Sequence, residues 1–131
     1  MKRALLGLAA AALVAGTLNC GREVGPVAGN LQVRLTSPNS GADSAIVLTI
    51  TGPAALTSAT AGAGLRLFAQ PLGATTRFAL TGRLTSSTTI LTIGVADVNR
   101  VGQYVATIQG VAQPNFQVRA GLGGYLLSVI R

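Results

Sequence analysis

One cysteine and three carboxylates are the side chains in this chain with distinctive chemistry to offer: Cys20, Glu23, Asp43 and Asp97. There is no histidine, and the only lysine is Lys2. Ser-His-Asp and Cys-His nucleophiles, histidine-containing zinc sites and imidazole proton shuttles are therefore excluded, and a Schiff-base lysine is left only at Lys2. Glycosidase chemistry needs two carboxyl groups across one bond, and past the first thirty residues only Asp43 and Asp97 remain. Both sit in Asx-rich stretches, Asn39 to Asp43 and Asp97 to Asn99, which read as turns. Asp97 and Asn99 are also the calcium candidates, but calcium takes six to eight oxygens and no further acidic residue lies nearby. Gly121-Leu122-Gly123-Gly124 precedes a strand pattern rather than a helix, so it is a turn and not a phosphate cradle. No catalytic residue and no cofactor site are read, and the expectation is a non-enzyme.

Cys20 has a different context. Lys2 and Arg3 precede an uninterrupted apolar run, Ala4 to Ala15, of the length an export leader needs and shorter than the roughly 20 residues of a membrane-spanning helix. Gly16-Thr17-Leu18-Asn19-Cys20 follows, and residues 1–20 are expected to be a signal helix rather than part of the fold. This leader resembles that of bacterial lipoproteins, in which a cysteine just after the apolar run receives lipid and becomes the mature N-terminus. The resemblance covers Met1 to Cys20 and departs from the usual pattern, with Thr17 where Leu is common and Asn19 where a small residue is common. It implies lipidation of Cys20 and attachment to the membrane through that lipid, on the cell envelope. The alternative is ordinary cleavage after Gly16, which leaves Cys20 a free thiol in a secreted protein.

From Cys20 onward the chain has 112 residues, the size of one domain. Its eight arginines are spread along the whole length rather than clustered in a stripe. That spread argues against nucleic acid and for solvent-facing cations that discourage edge-to-edge strand pairing. With no second cysteine, no intramolecular disulfide can form, so stability must come from apolar burial.

The elements that must position these residues are strands. Residues 21–29 hold three glycines and Pro26 without periodicity and read as a flexible tether, and a single domain is expected over 30–131. Leu31, Val33 and Leu35 alternate with polar residues, and Ile46, Leu48 and Ile50 do the same within Ala45 to Gly52. Further strands are expected at Leu56 to Thr60, Leu65 to Gln70, Thr75 to Thr81, Thr89 to Val95, Gln103 to Val111, Asn115 to Ala120 and Tyr125 to Ile130, each bounded by turn chemistry. Ala96 to Gly102 reads as one helical turn capped by Asp97 or as a loop. Eight or nine short strands with no long 3.6-residue period predict an all-β fold, an immunoglobulin-like or jelly-roll β-sandwich. The succession from Ala45 to Ala120, with Gly52-Pro53, Arg77 to Leu80 and Gly102 to Ile108, resembles cohesin-like sandwiches of secreted bacterial proteins. That resemblance implies docking of a protein partner on a sandwich face.

The aromatic residues divide by phase. Phe78 runs with Thr76 and Leu80, and Phe116 with Val118, so both are expected inside, while Phe68 shares an outer face with Arg66. With no Trp and few aromatics, carbohydrate binding is the weaker reading. The last strand is apolar on both sides, Tyr125, Leu127 and Val129 against Leu126 and Ile130, which predicts a central position in a sheet. The functional expectation is a non-catalytic docking module of the bacterial envelope that binds an envelope protein, with a self-assembling surface subunit as the alternative.

Overall fold

The computed structural model describes residues 25–131. The expected leader and Cys20 lie outside these residues. Eight strands form two four-stranded antiparallel sheets stacked as a sandwich. They are β1 (Gly29–Thr36), β2 (Asp43–Thr51), β3 (Ser58–Ala61), β4 (Arg66–Leu72), β5 (Thr75–Leu84), β6 (Thr88–Val95), β7 (Val105–Ala112) and β8 (Leu126–Ile130). One sheet has the order β3-β6-β1-β8 and the other β4-β5-β2-β7. Every connection except the β4–β5 hairpin therefore crosses between sheets.

Period-2 alternation builds the core. Leu31, Val33 and Leu35 of β1, Ile46, Leu48 and Ile50 of β2, Phe78 and Leu80 of β5, and Leu91, Ile93 and Val95 of β6 are all buried in one cluster. Three register shifts adjust that alternation. Between Val33↔Leu91 and Arg34↔Thr89 the extra residue on β6 is Ile90, so two consecutive side chains, Ile90 and Leu91, are both buried. Between Val47↔Gly110 and Leu48↔Ile108 the extra residue is Gln109, which moves the inward phase of β7 from Ile108 to Val111. The third falls at Gly82-Arg83 of β5, where Gly82 has φ +134 and a Cβ would meet the Gly64 carbonyl.

Several expectations need correcting. Asn115 to Ala120 is not a strand: Gln113 and Gln117 close a tight turn, Phe116 has φ +65, and one isolated bridge, Ala112↔Val118, is all that pairs there. A residue in the left-handed region cannot continue a pleated strand. Phe116 and Val118 are consequently exposed, at 92% and 71%, and not inward. Tyr125 to Ile130 supplies an edge strand, β8, paired only with β1 on its sheet, and Leu126 and Ile130 reach solvent. Gln103 is not in β7; residues Val98–Gln103 form a 3-10 segment, η1, capped by Asp97. Phe68 does lie outside, more than half exposed, on β4.

The sandwich has two poles. Gly52, Ala74, η1 and the start of β7 meet at the pole where β1 begins, and Pro26, Pro53, Ala54, Asp97, Arg100 and Tyr104 line one notch there. Gly52 is needed for that closure, since a Cβ would overlap the buried Tyr104 ring. At the far pole the turn 37–42, the turn 85–87 and the segment 113–125 are cross-linked by hydrogen bonds, among them Ser37 N–H to Ser86 Oγ and Ser86 N–H to Ser40 Oγ, each 2.9 Å.

Candidate functional site

The far pole carries the most elaborate polar arrangement among the described residues. Asp43, expected in a turn, is the first residue of β2, opposite Leu84, with its side chain 1% exposed. A carboxylate so far from water needs charged or hydrogen-bonding partners. Arg119 Nε donates to its Oδ1 at 2.6 Å, and the Tyr125 hydroxyl donates to its Oδ2. Asn39 Nδ2 in turn donates to the Tyr125 hydroxyl at 2.9 Å. No buried side-chain nitrogen or oxygen among the described residues lacks a partner. Arg119 is thus not one of the solvent-facing cations that the spread of arginines suggested.

This clasp fastens the middle and the far end of a segment with little other pairing. Gln113 to Tyr125 joins β7 to β8, and Arg119 and Tyr125 tie it to the start of β2. Arg119 N–H also donates to the Val111 carbonyl at 2.8 Å. Between the end of β7 and Arg119, Asn115 Oδ1 accepts from Gln117 N–H at 3.1 Å, an Asx turn that lifts Phe116 into solvent. A non-glycine residue in the left-handed region is uncommon, and such strain gathers at binding sites. The result is an exposed phenyl ring on an anchored loop, a form suited to insertion into a partner's pocket.

Asp97 and Asn99 are at the opposite pole. Asp97 Oδ1 accepts from Asn99 N–H at 3.0 Å and from Val27 N–H at 3.3 Å, and its Oδ2 lies 3.6 Å from Arg100 Nε. Asn99 Oδ1 accepts from Arg131 at 3.4 Å. The residues placed for calcium thus form a capped turn with two arginines alongside, and among the described residues no three metal-binding side chains cluster. With β1 between the poles, about 25 Å at 3.3 Å per residue separates the two aspartates, far beyond the spacing of paired catalytic carboxylates.

The Val27 and Asn99 N–H groups, with Arg100, hold the Asp97 carboxyl below its ordinary value of 3.8. A depressed folded pKa adds stability that is complete above the unfolded value and fades as pH falls through the folded one. Asp97→Asn is expected to flatten the acid side of a melting-temperature profile below about pH 4, leaving the neutral-pH slope unchanged. Equal slopes in variant and parent would show that the cap contributes nothing through its charge.

No local pattern foretells the clasp, because Asp43 and Arg119 are 76 positions apart. The sandwich also has an open flank, where Leu56, Ala59, Ala69 and Pro71 leave a shallow cleft down to Thr76 and Phe78. It is apolar and lined by small side chains, and no titratable group reaches it. No family model, no curated protein and no solved structure matches this chain.

Proposed function

We propose that this protein is a non-catalytic docking module, exported and held at the bacterial envelope by a lipid on Cys20, which binds a protein partner through the loop around Phe116. The observation that carries this reading is Phe116 itself: 92% exposed, at φ +65, on a loop pinned by a buried ion pair. Aromatic anchors on preorganised loops are the usual centres of protein interfaces. Val118, 71% exposed, adds apolar surface beside it. Export and lipidation are supported by Lys2, Arg3, the run Ala4 to Ala15 and the lone Cys20.

The test is a photo-cross-linking amino acid at position 116 of the full chain in a bacterial envelope, with one at Thr92, on the outer face of the other sheet, as control. A discrete heavier adduct from position 116 and none from position 92 supports docking. No adduct from position 116, or equal labelling from both, refutes it. An adduct of twice the chain's mass supports the second reading, a self-assembling subunit, which the edge position of β8 and its exposed Leu126 favour.

Stability and docking are expected to separate at this residue. Phe116→Gly removes little buried area and relieves a left-handed conformation that disfavours L side chains by about 1–2 kcal/mol. Its melting temperature is expected to equal or exceed the parent's while the adduct partner no longer co-purifies. A clear loss of stability would mean that the ring has a folding role.

A further inference from the structure

We infer that the pole of the sandwich where β1 begins rests in the headgroup layer of an anionic bilayer, so that the Phe116 pole faces away from the membrane. This rests on the reading that Cys20 carries lipid. Chain length gives the first argument. Val27 is fixed to the fold by its N–H to Asp97 and its carbonyl to Val98. From Cys20 to Val27 there are seven residues, which span at most about 25 Å fully extended. That is no longer than β1 itself, so a lipidated Cys20 keeps this pole closer to the bilayer than the other.

The surface of this pole supplies the second argument. Val27, Leu72 and Val105 are about half exposed there, with Leu72 at the tip of the β4–β5 hairpin and Val105 at the start of β7. Arg77, Arg100 and Arg131 stand on or near this pole, where Asp97 is the one acidic side chain among the described residues. Apolar side chains at a tip with guanidinium groups around them suit insertion among acyl carbons beside phosphate headgroups. Tethering makes weak contacts of this kind sufficient, because a short linker holds the surface at high local concentration.

The chain contains no Trp, so one substitution supplies a single reporter. The full chain carrying Leu72→Trp, processed in a bacterial host, is reconstituted into vesicles of phosphatidylethanolamine and phosphatidylglycerol containing brominated acyl chains. Leu126→Trp, exposed near the far pole opposite Thr36, is the comparison. L72W emission is expected to be quenched at least twofold more than L126W emission, and less in phosphatidylcholine vesicles. Should L72W fold poorly, Val105→Trp reports on the same pole. Equal quenching at the two poles overturns the inference, and equal quenching in both lipid mixtures overturns the role given to the arginines. Protein that does not float with vesicles and carries no acyl mass overturns the lipid anchor instead, which keeps the two failures apart.

Discussion

Arg119→Met is expected to destabilise the domain by about 3–5 kcal/mol, the cost of leaving a buried carboxylate without its cation. Asp43 keeps the Tyr125 hydroxyl in this variant, but one neutral donor does not replace a guanidinium at 2.6 Å. The contrast with Arg100 and Asp97 shows why burial decides the size of the effect. That pair is 3.6 Å apart, with the Arg100 side chain more than half exposed, and solvent screens it. A second variant separates charge burial from lost packing. Asp43→Asn combined with Arg119→Met removes both charges and retains a side chain able to bond Tyr125, so the double variant is expected to recover part of the single variant's loss. Urea unfolding of the parent, both single variants and the double variant measures the coupling. An unfolding free energy for Arg119→Met within about 0.5 kcal/mol of the parent's would rule out the clasp as a source of stability. Proteolysis between Gln113 and Gly124 should quicken in the same variant, since Arg119 fixes the middle of that segment.

The sandwich was legible in the sequence wherever one face of a strand is dry and the other wet. Leu31, Val33 and Leu35, or Ile46, Leu48 and Ile50, announce their strands because polar residues between them face solvent. Legibility failed where the backbone leaves the pleat. Phe116 and Val118 alternate like strand residues, but the Asx turn at Asn115 and the left-handed φ of Phe116 follow from local hydrogen bonds that alternation does not encode. β8 misled for another reason. Its two apolar sides suggest cover on both, yet Leu126 and Ile130 are left at the surface of an edge strand. The candidate site was the least legible part, because its anchors come from segments brought together only by the closed fold. Asp43 looks like a turn aspartate until β2, the 113–125 segment and Asn39 converge on it.

Phe78→Ala should be the most costly single truncation in the core, at about 3–5 kcal/mol. Phe78 is among the largest fully buried side chains, 1% exposed, and pairs with Leu48 on β2 and Ala69 on β4. Its partner on β4 is only an alanine, so the side chain directly opposite cannot fill the space. The ring also floors the open flank between β3 and β4, where Leu56, Ala59 and Pro71 stand apart. Truncation there joins a new void to an existing cleft, and water can enter it. Partial wetting places the loss toward the lower end of the range, whereas a sealed cavity places it at the upper end. For a domain of about 100 residues each kcal/mol shifts the melting temperature by roughly 4–8 °C, so a fall of at least about 12 °C is expected. Phe78→Leu, which retains most of the volume, should recover more than half of that fall. A shift of only a few degrees for Phe78→Ala would mean that β3 and β4 close over the gap. The flank would then be a hinge between the two sheets rather than a fixed cleft.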